Sequence, residues 1–171
     1  MIEYLIWLHT ALGAGNPRGA KALEAIGSAE KIYEMSDSKR RQSGLFTPRD
    51  IGALNAVKLD EAKLIEKECR RHGITVLPYT DGKYPQKLKV IAAPPVLLYL
   101  KGKLPNMDET PAVCIVGPRE SSEFGQKAAY SLAYRLASAG MTVVSGGARG
   151  CDFYAHSGAL KANGKTVLIM G

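Results

Sequence analysis

The 171-residue chain has only three cysteines, Cys69, Cys114 and Cys151, with no C-x-x-C among them. An odd, scattered set does not suggest a disulfide framework and argues against a zinc ribbon or a thioredoxin-type site. Reduced cysteines fit a cytoplasmic protein. Acidic residues are few beside basic ones, 16 against 23, which leaves a net charge of +7. Long apolar runs are missing. The start, Met1-Ile-Glu-Tyr-Leu-Ile-Trp-Leu-His9, has no basic n-region and carries Glu3 early, so it reads as a first core helix and no membrane contact is expected. Internal repeats and low-complexity tracts are also lacking, which sets aside solenoids and linker arrays.

What is present is an ordinary globular composition, 46% hydrophobic and 23% charged. The length allows one large or two small domains. Charge is uneven: residues 1–73 hold 12 basic and 10 acidic side chains, residues 74–171 hold 11 and 6, so +5 of the +7 lies in the second part. A polyanionic partner would be drawn there.

Residues 1–73 read as a small all-helical domain. Leu5, Leu8 and Leu12 recur at helical spacing until Gly13-Ala-Gly15-Asn-Pro17 breaks the pattern. Ala22, Leu23 and Ile26 mark a second helix stopped by Gly27. Ser28 reads as the cap of a third with Ile32 and Met35 inward, and Thr47-Pro48 opens a fourth. A fifth runs from about Asp60 to Arg71, with Ala62, Ile65 and Cys69 as its apolar face, and stops at Gly73. The Gly13-x-Gly15 turn between helices is similar to a helix-hairpin-helix or SAM-type unit, whose amides can meet a phosphate. It equally suits a plain turn between packed helices. Residues 74–111 read as a connecting segment, with β-rich Ile74–Leu77, turn chemistry at Tyr79–Pro85 and a strand at Val96–Leu100 expected at a sheet edge.

From residue 112 to 171 the pattern is strand, loop, helix, strand, loop, helix, strand. Continuous apolar runs at Ala112–Val116, Thr142–Ser145 and Thr166–Met170 predict parallel strands buried on both faces, with Cys114 in the core. Between the first two, Phe124, Ala128, Leu132, Leu136 and Ala139 predict the inward face of a long helix. The fold class is therefore α/β, a Rossmann-like parallel sheet with a βαβαβ core, preceded by the helical domain.

Two strand exits carry the functional signal, because open parallel sheets bind ligands at strand ends. The first, Gly117-Pro-Arg-Glu-Ser-Ser122, runs into a helix N-terminus. There, exposed amides, the helix dipole, Arg119 and Ser121 could hold an anion. Arg119 could as easily be a solvated loop residue and the serines caps, since the spacing is neither G-x-G-x-x-G nor G-x-x-x-x-G-K-[ST]. The second, Ser145-Gly146-Gly147-Ala148-Arg149-Gly150, is the stronger: its glycines let backbone approach a ligand, and Arg149 offers a second cation. Asp152 and His156 lie four apart on the next helix and can face the same way. With no nucleophile or metal set beside them, they read as supports of the loop in preference to an acid–base pair. Tyr130, Tyr134 and Tyr154 could stack on bases, or simply pack.

The two loops with their flanks, residues 112–125 and 143–160, together with Tyr84-Pro85 and Pro94-Pro-Val-Leu-Leu-Tyr-Leu-Lys-Gly102, resemble the DNA-processing protein A (DprA/Smf) family. The resemblance covers most of the chain. It implies a Rossmann-like domain that binds single-stranded DNA, protects incoming strands and hands them to the recombinase RecA in natural transformation. It implies no enzymatic activity, cofactor or metal. On this reading Gly117, Arg119 and Ser121, with Ser145, Gly146, Gly147, Ala148, Arg149 and Gly150, contact phosphate, and Asp152 and His156 brace them. Pro118, Gly147 and Cys151 depart from the family pattern and bear on loop stiffness. The family's sheet domain continues for about as many residues again, so half of a sheet is expected here, and its open edge allows a homodimer. Two other readings stay open: a Rossmann-like nucleoside-monophosphate phosphoribohydrolase, which would need a catalytic acid where the loop has Arg149, and a nucleotide-sensing module.

Overall fold

The single tryptophan, Trp7, is fully buried where the N-terminal helices converge. A computed structural model describes residues 1–170, and the chain divides into two units, Met1–Lys103 and Leu104–Gly171. The first opens with α1 (Ile2–Leu12), α2 (Pro17–Ile26), α3 (Ala29–Glu34), α4 (Asp37–Gln42), α5 (Pro48–Ala56) and α6 (Leu59–Arg71). The starts of α2 to α5 are capped: Asn16, Ser28, Ser36 and Thr47 each accept a backbone N–H, which satisfies donors that a helix leaves open. Thr47 and Asp50 complete a capping box. Gly27 and Gly73 end α2 and α6 with positive φ, a conformation side chains resist. Met35, expected inward, is only half-buried.

Trp7 Nε1 donates to the carbonyls of Leu54 (3.2 Å) and Val57 (3.1 Å), tying α1 to the end of α5. The Arg40 guanidinium lies 5.7 Å from its ring centre and donates to Ile32 O, Tyr33 O and Asn55 Oδ1, so this buried cation is fully surrounded by acceptors. Arg40 belongs to α4, whose sequence DSKRRQ has no apolar residue. Hydrophobic period cannot reveal such a helix. Only the Ser36 cap and Asp37 mark it.

After α6 the chain forms β1 (Ile74–Pro78), α7 (Gln86–Lys89) and β2 (Leu97–Lys101). The strands pair antiparallel, Ile74 with Lys101 through Pro78 with Leu97. The expectation that Val96–Leu100 edges the parallel sheet is corrected here. Val96 and Leu97 are buried in the helical core, and β2 pairs with β1 as a separate two-stranded sheet.

The second unit contains β3 (Ala112–Cys114), α8 (Glu123–Ser138), β4 (Thr142–Gly146), α9 (Cys151–Lys161) and β5 (Thr166–Ile169). The sheet is parallel in the order β3-β4-β5. Two crossovers advancing the same way put both helices on one face, where Val113, Ile115 and Val143 meet Ala129, Ala133, Ala155 and Ala159. Burial on both faces is therefore not what forms: Val116 is 72% exposed, Ile169 57%, and Cys114 is exposed instead of core.

The inward face of α8 also differs from expectation. Ala129, Ala133 and Ala137 are buried, whereas Phe124 is 82% and Leu132 50% exposed, and Ala128 and Ala139 lie outside; of the expected set Leu136 does pack against the core. Both sets share the helical period. Close approach decides between them, since a Cβ at Gly158 of α9 would overlap the Tyr130 carbonyl and one at Gly164 would sit 2.6 Å from Ala137 Cβ. Large side chains cannot enter so narrow a seam. No helix among the described residues is long and apolar enough to cross a membrane.

Gly158→Ala should therefore destabilise the protein by about 1–3 kcal/mol or more. Gly52→Ala, at an exposed position of α5 with open space around it, should stabilise it by about 0.5–1 kcal/mol. Urea unfolding of the two variants measures both.

Burial holds the His9 imidazole below its ordinary value of 6.5, and its Nδ1 is buried without a partner among the described residues. The unfolded chain then takes up the proton first, so this histidine's contribution to stability falls as pH drops through 6.5 toward the depressed folded value. His9→Leu should flatten the urea midpoint between roughly pH 7.5 and 5.5, where the unmodified protein declines.

Candidate nucleic-acid interface

The two glycine loops touch through their backbones. Gly150, at φ 81, faces the carbonyls of Pro118 and Arg119 so closely that a Cβ there would overlap both. The Cys151 N–H donates to Pro118 O at 3.4 Å, and Gly117 in turn lies against Cys151, whose Sγ would be 2.5 Å from a Cβ at that position. The strand ends behind them are also tied, because Ser145 Oγ donates to Ile115 O at 2.6 Å. The exits of β3 and β4 therefore form one ridge.

Arg119 and Arg149 stand on that ridge, both exposed. Among the described residues neither makes a hydrogen bond or ion pair. Their neighbours temper the field: Glu120 is exposed beside Arg119, and Glu123 pairs with Lys127 at 3.5 Å on the surface, where such pairs contribute little. Ser122 Oγ caps α8 by accepting from the Gly125 N–H at 3.2 Å. Ser121 Oγ is buried and has no partner among the described residues, while its carbonyl accepts from Gln126 Nε2 at 2.9 Å.

Not every residue of the second loop faces outward. Ser145, expected to contact phosphate, is 1% exposed with its hydroxyl engaged. It joins two strands and leaves the ligand side to its neighbours. The Asp152 carboxylate, 8% exposed, turns back into the loop and accepts from the Ala148 N–H at 3.3 Å. It also explains Gly146, where a Cβ would meet Asp152 Oδ2 at 2.5 Å. Gly147 is exposed, and a Cβ there would touch only Leu168 at 3.4 Å and Met170 at 3.5 Å.

His156 lies beneath the loop with Nε2 2.9 Å from Gly146 O and Nδ1 2.7 Å from Thr166 Oγ1. A carbonyl only accepts, so Nε2 carries a proton. The ring thus ties the end of β4 to the start of β5. Asp152 and His156 hold loop and strands, and no cluster of metal-ligating side chains is found among the described residues. The arrangement offers two free guanidinium groups, a helix start and backbone amides, which are means of binding an anion. The junction at Gly150 was beyond sequence reading, because it depends on contact between loops distant in the chain.

Three comparisons bear on this site. The model of the family described as DNA recombination-mediator protein A matches residues 75–171. Protein Smf of Synechocystis sp. is 37% identical over 94 residues, covering 53% of this chain and 24% of that protein. DNA processing protein DprA of Bacillus subtilis is 33% identical over 101 residues, covering 59% and 34% respectively. The X-ray structure of DNA processing protein A from Streptococcus pneumoniae superposes with a TM-score of 0.72 at 25% identity, over 99% of this chain and 58% of that one. The matched stretches thus span about a quarter to a third of these curated relatives.

His156→Phe keeps a ring but removes the donor to Gly146 O and leaves Thr166 Oγ1 with Val143 O alone. It should lower unfolding stability by about 1–3 kcal/mol in chemical denaturation.

Proposed function

The chain belongs to the DNA recombination-mediator protein A family, and we propose that its two arginine loops grip the sugar–phosphate backbone of single-stranded DNA. The observation that carries this reading is the pair of exposed, unpartnered arginines on loops locked together at Gly150. Guanidinium forks suit phosphate oxygens, and the start of α8 adds backbone donors beside them. Backbone contacts of this kind are indifferent to base sequence, as protection of arbitrary incoming strands requires.

On this reading the protein works by binding, without catalysis, in the cytoplasm. Asp152 and His156 act as supports of the loop. The strand it holds is passed to RecA for recombination in natural transformation. The names of the relatives, DNA processing protein and recombination mediator, agree with such a role, and so does the excess of positive charge in residues 74–171.

Fluorescence anisotropy with an oligo-dT across a range of salt tests the reading. Arg119→Ala and Arg149→Ala should each weaken binding by about 1–3 kcal/mol and each reduce the salt slope by about 0.7. Unchanged affinity in both variants removes the loops from the interface. In a parallel incubation with AMP, release of free adenine would replace binding by phosphoribohydrolase chemistry.

A further inference from the structure

A cleft opens beside the ridge that the loops do not themselves fill. It measures about 390 Å3 and is lined by Glu123, Gln126, Lys127, Tyr130 and Ser131 of α8 and by Tyr154 of α9. Its place follows from the small-residue seam: Gly158 brings α9 against the Tyr130 carbonyl, and Tyr130 and Tyr154 line the cleft from the two helices. Both are half-buried, and neither phenol hydroxyl has a partner among the described residues. Phe153 stacks edge-on against Tyr154 with ring centres 5.4 Å apart. Tyr134 takes no part in the lining.

The cleft adjoins the ridge along both helices. The Tyr154 N–H donates to Gly150 O at 3.2 Å, so this ring stands one turn beyond the loop junction. Glu123 begins α8 directly after the Ser122 cap, and Gln126 is anchored on Ser121 O. Aromatic faces with a polar rim therefore stand near the arginine loops, Tyr154 one turn into α9 and Tyr130 about two turns into α8. That is the combination single-strand binding uses: cations for phosphates and rings for bases.

We propose that this cleft receives one nucleobase of the bound strand, stacked on Tyr154 and flanked by Tyr130, with Ser131, Gln126 and the free phenol hydroxyls meeting its edge. The proposal rests on the strand-binding reading above and adds a base contact to it. Stacking needs only a π-face, so any of the four bases is accepted. Double-stranded DNA is disfavoured, because its bases are not free to enter.

The test compares an oligo-dT with an abasic oligonucleotide of the same length and charge, titrated into the unmodified chain by fluorescence anisotropy. The abasic strand should bind about 5- to 100-fold more weakly, with the same salt slope. Tyr154→Ala and Tyr130→Ala should shrink that difference while keeping the abasic affinity, which also reports that each variant is folded. Tyr154→Phe should preserve it. Equal affinity of the unmodified chain for both strands would overturn the base cleft and leave the phosphate grip standing. A full difference in both alanine variants would overturn the cleft as well. Binding of neither strand would overturn both readings.

Discussion

The second unit depends on how near the peptide at Gly150 comes to the carbonyls of Pro118 and Arg119. No side chain fits between them, and the Cys151 N–H meets Pro118 O across the same gap. Through that junction two loops separated by a whole helix and strand become one surface. Arg119 and Arg149 then stand on a shared base without the flexibility of independent loops, so less ordering entropy opposes binding. The rest of α9 follows from the same placement. Asp152 reaches back to Ala148, and His156 bridges β4 and β5.

Helix packing obeys a related demand. Ala129, Ala133 and Ala137 of α8 face the small residues of α9, with Gly158 against the α8 backbone. This close seam turns Phe124 and Leu132 outward and leaves Tyr130 and Tyr154 lining a cleft between α8 and α9. It also fixes which face of the sheet is covered. The opposite face presents Cys114, Val116 and Ile169 to the surroundings of the described residues. In the first unit the same logic appears in polar form: Arg40 fills a place in the core only because backbone carbonyls and the Trp7 ring surround its charge.

The strands, the parallel order and the two glycine loops were legible in residues 112–171, since short apolar runs ending in glycine and arginine have few other interpretations. Helix caps at Ser28 and Thr47 were equally plain, because a cap is a local bond between residues three apart. The inward side of α8 was not legible. Its two candidate faces have the same period, and hydrophobic size favoured the wrong one. Helix α4 escaped because its buried residue is an arginine.

Local order therefore came from the sequence alone: where strands, turns and loops fall, and that two strand exits carry cations. Tertiary structure decided what each residue does there. Ser145 became a strand tie, Asp152 an internal partner for a loop amide, Cys114 a surface residue, and Tyr130 and Tyr154 neighbours across a cleft. The reason is distance in the chain. Period and capping act over a few residues, whereas the seam at Gly158 and the junction at Gly150 join segments that only the folded sheet brings together.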